Sequence, residues 1–367
     1  MKIALTTYGF YLSKNGNRFV IKSEGKKEEI SADKVEQIIV TTKGVISTDA
    51  LNLAVENNID FIMLNNYGKP LGRFWHSKFG SISTIRKKQL ELENTYLGFE
   101  LVKDWISTKM NNQKRLLKNL KNLKNFSNNN NNNNTNNNTN NSNSNNSIDT
   151  KNIISKMDNY IEKINNMEYN YKNIKEERDI LQNLEANVSK MYFKTLSELL
   201  PEKYRFESRS RNPAKDYFNC FLNYGYGILY GQIERSCIIA GLDPYIGILH
   251  RDNYNRTALV YDMIEPYRYY VDKAVFELCT DINDNDNDNN SNDNDNNNMN
   301  SEFFDELKSE DKSKNGYYLN KAGKQLLISK YNEIMDKKIK YDGKNTKIED
   351  TILKDCHKVS NKILKYI

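Results

Sequence analysis

The sequence predicts an α+β protein, with a small N-terminal β-rich domain over residues 1–80 followed by a larger all-α C-terminal domain over 81–367. Three observations predict it. Short runs rich in Ile, Val and Phe, punctuated by Gly and Asn, fill the first eighty residues. From about Ser81 apolar residues recur at helical intervals with few breakers. Two low-complexity tracts, at about 127–147 and 281–300, interrupt that pattern without replacing it. A chain of 367 residues is long enough to bury two cores.

In chain order, KIALTTYGFYL and RFVIKSE flank Lys14-Asn15-Gly16-Asn17, a hairpin signal. VEQIIVTT and DFIMLN read as further strands, and between them Ser47-Thr48-Asp49 caps a short helix through Asn57. Ile85, Leu90, Leu92, Leu97, Leu101 and Trp105 open a helical stretch continuing to Leu123. Its basic residues, Lys103, Lys109, Lys114, Arg115, Lys118, Lys121 and Lys124, read mainly as a solvated face, with phosphate contact as the sharper alternative. Ile153 to Lys194 is one long helix or two, ending before Pro201, and Ser301 to Ile367 is a charged helical tail.

The tract from Ser127 to Ser147 is almost all Asn with Ser and Thr, and that from Asp281 to Asn300 mixes Asn with Asp. Neither can bury apolar surface, so both are read as mobile insertions, and they depress the mean hydropathy to −0.81. Net charge is +6, and without the six aspartates of the second tract the remainder carries +12. A basic body favours a polyanionic partner such as nucleic acid. Asp284, Asp286, Asp288 and Asp295 mimic a calcium-loop spacing, but Asn289 stands at the turn glycine and the closing Glu is missing, so the match is compositional. Cys220, Cys237, Cys279 and Cys356 show no C-x-x-C spacing, and no signal peptide or membrane-length apolar run is present; a reduced, soluble, cytoplasmic protein is expected, with Cys220 and Cys237 as buried small hydrophobes.

The segment from Glu207 to Arg268 concentrates chemistry: an Arg-rich opening, a tyrosine- and glycine-dense run, His250, and then Asp262 and Glu265. Imidazole and carboxylate together suit a divalent cation acting on phosphodiesters. Asp262 and Glu265 share a face if their segment is helical, and His250 precedes them by the turn-rich RDNYNRT, which can fold back. A third carboxylate must come from elsewhere, and Glu185, set among apolar residues in LQNLEANVSKMYF, is notable for its surroundings. Singly, each has a plain structural reading, as a hydrogen-bonded His or a helix-forming Glu.

These residues are joined by motifs that closely resemble the CRISPR-associated integrase, or endonuclease, of spacer acquisition. The resemblance rests on KIALTTYGFYLSKNG, the R-x-x-Q of Arg86 and Gln89, the L-E-A around Glu185, the R-N-P-x-K-D-x-x-N from Arg211 to Asn219, the G-x-L-H ending at His250 and the V-Y-D-M-I-E from Val260 to Glu265. It implies an N-terminal dimerisation domain, a helical catalytic domain, and a Mg2+ or Mn2+ site made by Glu185, His250 and Glu265, with Asp262 in support. It implies homodimers that sandwich a dimer of a small ferredoxin-like CRISPR-associated partner and insert short duplex DNA into the CRISPR array. Arg86, Tyr230, Tyr261 and Arg268 fall at positions resembling DNA contacts. Ala186 departs from the Gly common after the glutamate, and Pro266 directly after Glu265 bends the segment that carries that ligand.

Strand transfer needs no covalent protein intermediate, and imidazole must be neutral to ligate, so activity is expected to fall in mild acid. Arg209, Arg211, Lys215 and Arg268 are placed to neutralise phosphates, while Tyr224, Tyr226 and Tyr230 either stack on splayed bases or fill the core. A non-catalytic DNA-binding scaffold and a tyrosine-nucleophile recombinase are the competing readings.

Overall fold

The computed structural model of the chain describes residues 1–75, 83–132, 149–170, 174–250, 256–289, 300–309, 311 and 314–366. Its N-terminal part runs β1 (Lys2–Leu5), β2 (Phe10–Asn15), β3 (Arg18–Ser23), β4 (Lys26–Ser31), β5 (Gln37–Val40), β6 (Gly44–Ile46), α1 (Thr48–Glu56), β7 (Asp60–Leu64) and β8 (Pro70–Phe74). These make two four-stranded sheets, ordered β1-β5-β7-β8 and β4-β3-β2-β6. The run KIALTTYGFYL is not one strand. Gly9 takes φ +75°, a left-handed conformation that favours glycine, and its N–H bonds the carbonyl of Lys43, so β1 and β2 enter different sheets. The expected hairpin at Gly16 and the Ser47 cap are present, the Ser47 hydroxyl accepting from the Ala50 amide at 3.2 Å.

In the first sheet, β1, β5 and β7 pair in parallel, so both faces need cover and the strands read as continuous apolar runs. Ile3, Leu5, Ile38 and Phe61 pack with Phe10, Leu12, Phe19 and Leu53 in one core. Ile39, Ile62 and Leu64, from the opposite face, join the helical core.

The C-terminal part contains α2 (Ser83–Glu91), α3 (Tyr96–Asn132), α4 (Thr150–Asn165), α5 (Ile174–Leu199), α6 (Tyr217–Ile239), α7 (Ala258–Met263), α8 (Arg268–Asn289), α9 (Asn300–Phe303), α10 (Lys321–Met335) and α11 (Ile348–Lys365). It is mostly helical rather than all-α. The tail read as purely helical holds two hairpins, β9 (Phe304–Leu307) with β10 (Gly316–Leu319), and β11 (Lys338–Tyr341) with β12 (Lys344–Lys347). The second turns on Asp342 and Gly343 at φ 47° and 76°, the dipeptide signal of a tight hairpin. The stretch from Ile85 to Leu123, expected to be helical with few breakers, divides into two helices. A 3-10 turn at Leu92–Asn94 ends α2, and the Thr95 hydroxyl accepts from the Gly98 amide at 3.1 Å to start α3. Residues 133–148 and 290–299 lie outside the described residues, while α3 runs on to Asn132 and α8 to Asn289, so helix enters both tracts; Asp284, Asp286 and Asp288 of the calcium-loop spacing fall in α8 and Asp295 outside the described residues.

Helix α6 is the axis of the helical part. It is buried nearly all round, with Phe218, Phe221, Leu229, Ile233 and Cys237 in the core, as an internal helix requires. Its glycines admit close neighbours. A Cβ on Gly227 would lie 1.8 Å from the carbonyl oxygen of Gly68, in the turn between β7 and β8, so that turn seats directly on the helix backbone. All four cysteines are free and buried. No helix among the described residues is long and apolar enough to cross a membrane.

Candidate active site

The site forms where α3, α5, the loop ending at His250, α7 and the start of α8 meet. Asp262, near the end of α7, is 1 % exposed and binds that loop: it accepts from the amides of Ile248 at 2.6 Å, Leu249 at 3.1 Å and His250 at 3.0 Å. Its Oδ1 also lies 2.6 Å from Nδ1 of His250. A carboxylate there accepts a hydrogen bond from Nδ1–H and so keeps the proton on Nδ1, which leaves Nε2 as the acceptor or ligand nitrogen. Asp262 is therefore a positioning residue, its oxygens spent on fixing the imidazole and its loop.

Beyond α7 the chain tightens into a 3-10 turn, Glu265–Tyr267, as Pro266 demands, and Asn112 of α3 pins it by donating to the Pro266 carbonyl at 2.9 Å. Asp262 and Glu265 thus sit on different elements and do different work. Glu265 is 5 % exposed; Arg268 donates to its Oε1 at 3.0 Å, and Lys109 of α3 reaches its Oε2 at 2.6 Å. Burial pushes its pKa up, but Arg268, Lys109 and the nearby His250 outweigh that and hold it down at about 2. On α5, Glu185 bonds the same Lys109 ammonium and accepts from Ser189 Oγ at 2.6 Å. Two carboxylates eighty residues apart therefore face one cationic atom.

A second layer braces this arrangement. Asp272, fully buried on α8, accepts from the hydroxyls of Tyr192 on α5, at 2.9 Å, and Tyr226 on α6. The Tyr226 ring carries the Arg268 guanidinium 4.8 Å from its centroid, and Arg209 at 5.7 Å. Tyr230 packs edge-on against Tyr261 at 4.5 Å, and Arg256 lies over Tyr261.

The donor types are ones a divalent cation takes, so Glu185, Glu265 and His250 are the residues that could hold one: the two carboxylates share a positive atom, and the imidazole has one nitrogen tethered. As placed, no three His, Cys, Asp or Glu side chains among the described residues form a ligand cluster, and Lys109 stands between the two carboxylates.

The expected DNA contacts divide. Arg209 is half-buried, bonded to Asn223 at 3.0 Å, with burial lowering its pKa, so it packs behind the site. Arg211 is exposed; Lys215 is exposed with its ammonium 2.6 Å from the Asn315 carbonyl. The R-N-P-x-K-D-x-x-N run is a helix cap, Asp216 accepting from the Asn219 amide at 2.7 Å to begin α6. Arg86 lies 3.9 Å from Asp243 beside a cavity of about 320 Å³ shared with Arg73, Glu234 and Tyr245, and Gln89 clasps the 243–246 turn through the carbonyls of Asp243 and Ile246. Tyr224 is core, 1 % exposed.

Lys109, Ser189, Tyr192 and Asp272 were not anticipated. Lys109 carried a signal: it lies in register with Trp105, Ile106, Met110 and Gln113, all buried on α3, and so on the inward stripe rather than the solvated face.

Residues 3–333 match the family model for CRISPR associated protein Cas1. The chain is 28% identical over 363 residues to a CRISPR-associated endonuclease Cas1 of Archaeoglobus fulgidus, covering 96% of this chain and 93% of that one. Among solved structures, a casposase bound to integration product superposes with TM-score 0.74 at 18% identity, covering 100% of this chain and 91% of that one. A chain of a Cas6-RT-Cas1–Cas2 complex gives 0.70 at 17% identity, covering 100% of this chain and 35% of that one. The match to the family model spans most of the chain, from the parallel strands into α10, and on that ground the chain belongs to the CRISPR associated protein Cas1 family.

Proposed function

We propose that this chain is a metal-dependent DNA endonuclease and integrase that inserts short foreign DNA fragments as spacers into a CRISPR array. The reaction is attack of a fragment's 3′-hydroxyl on a repeat phosphodiester. One observation carries the reading: Glu185 and Glu265 converge on a single cationic atom beside an imidazole that Asp262 holds by Nδ1. Family membership, a relative named as an endonuclease and a fold shared with a casposase bound to integration product support it.

In this reading Glu185, Glu265 and Nε2 of His250 hold Mg2+ or Mn2+. That ion, when bound, supplies polarisation of the scissile phosphate and a lower pKa for the attacking hydroxyl. The chain's own groups do the rest. Asp262 keeps the imidazole in one tautomer, Arg268 keeps Glu265 ionised and in place, and exposed Arg211 and Lys215 take backbone phosphates, with Arg86, Tyr230 and Tyr261 lining the approach. The partners are double-stranded DNA, a second copy of this chain joined through residues 1–80, and a dimer of the small ferredoxin-like CRISPR-associated protein; the setting is the cytoplasm.

The test is strand transfer of a short duplex into a repeat-bearing plasmid by the purified protein and its partner with manganese. EDTA and His250→Ala each lower the rate at least ~10³-fold, about 4 kcal/mol of barrier, while DNA affinity holds and no protein–DNA adduct forms. Normal integration by the alanine variant would overturn the assignment. The second reading is a non-catalytic DNA-binding scaffold in which the Lys109 ammonium permanently fills the place between the carboxylates, and it predicts no strand transfer under any metal.

A further inference from the structure

Lys109 poses a problem that the metal site does not solve. Its side chain is 10 % exposed, and its ammonium bonds Glu185 and lies 2.6 Å from Oε2 of Glu265. A cation shared by those carboxylates would sit ~2.0–2.1 Å from their oxygens, which places it in the same space as the ammonium. Charge leads to the same conclusion. Lys109 and Arg268 are the cations that contact Glu185 and Glu265, and an ammonium left among those carboxylates would repel an arriving divalent ion.

Of the two basic groups, Arg268 is braced: it is bonded to Glu265 and lies over a Tyr226 ring that Asp272 fixes. Lys109 is a flexible stem whose polar partners among the described residues are the two carboxylates. One turn along the same face of α3, Oε1 of Gln113 is buried and accepts no hydrogen bond, although its Nε2 donates to Ser189 at 3.4 Å. An acceptor is thus waiting within reach of a displaced ammonium.

We propose that Lys109 is a displaceable counter-cation: it holds the metal position of the metal-free site, moves to Gln113 when a divalent ion enters, and thereby sets how tightly that ion binds. This rests on the reading of Glu185, His250 and Glu265 as the ligands. In the metal-free protein Lys109 keeps the buried Glu265 and the half-buried Glu185 from repelling one another, so the site stays folded before loading.

The experiment is titration of the full chain with Mn2+, followed by electron paramagnetic resonance of the free ion, together with thermal melts in EDTA and in Mn2+. Lys109→Gln, neutral but still a donor, binds Mn2+ at least tenfold more tightly than wild type; it melts lower in EDTA and recovers in Mn2+. Gln113→Leu, which removes the landing site, binds Mn2+ severalfold more weakly. Lys109→Arg keeps the charge, controls for folding and binds no tighter than wild type. Wild type that binds Mn2+ with Lys109→Gln no tighter, or a Lys109→Gln that melts no lower in EDTA, overturns this inference and leaves the ligand assignment standing. If neither wild type nor Lys109→Gln binds Mn2+, both fall together.

Discussion

Two clusters of buried charge organise this molecule, and they are built on opposite plans. At the seam between the first sheet and α6, fully buried Asp60 receives the Gln37 amide at 2.6 Å and the Arg73 guanidinium at 3.2 Å, and Arg73 reaches on to Glu234 at 3.2 Å and the Gly231 carbonyl at 2.6 Å. Gln37 and Asp60 are ladder neighbours on β5 and β7, so the sheet itself fixes their spacing. In the candidate site, by contrast, the carboxylates come from α5 and the turn before α8, and what joins them is a lysine on α3. A planar guanidinium clamped by a ladder works as a staple. A pliant ammonium between two independent helical segments is a joint that can be opened.

The comparison breaks most decisively at Arg73. Arg73→Met leaves Asp60 as an uncompensated buried charge and lowers unfolding free energy by about 3–5 kcal/mol, while strand transfer per folded molecule is retained. A denaturant midpoint close to wild type would show that the seam is not a staple. A smaller effect is expected at Glu265. Its folded pKa is held near 2, whereas the unfolded chain takes up the proton below about 4.5; its contribution is thus complete above about 4.5 and is lost as pH falls towards 2. That amounts to roughly 3 kcal/mol at most, read as the difference in pH slope between wild type and Glu265→Gln over pH 6 to 3. The smallest effect sharpens the second layer. Tyr226→Phe removes one hydroxyl from Asp272, costs about 1 kcal/mol, and lowers the strand-transfer rate more than DNA affinity because Arg268 loses a fixed platform.

Much of the frame is legible in the chain. The Gly16 turn, the Ser47 cap and the paired helices α4 and α5 follow from local rules, because local hydrogen bonds decide them. Family motifs singled out Glu185, His250 and Glu265, which no local pattern joins. What failed had specific causes. Gly9 divides one apolar run between two sheets, a decision made by long-range pairing with β6. The Asp342-Gly343 dipeptide is a hairpin signal, but its strands are four residues each and mostly exposed, too weak to stand out from charged helix. The charge of Lys109 points to a solvated face while its phase on α3 points inward, so the two signals conflict within the sequence.

The seat of the 65–69 turn against Gly227 carries a mechanical consequence. With backbone resting on backbone there is no side chain to deform, so that joint has almost no compliance. Tyr226 and Tyr230 lie on the same helix, so a displacement of the 65–69 turn would be passed to the side chains packed behind the candidate site with little give between them.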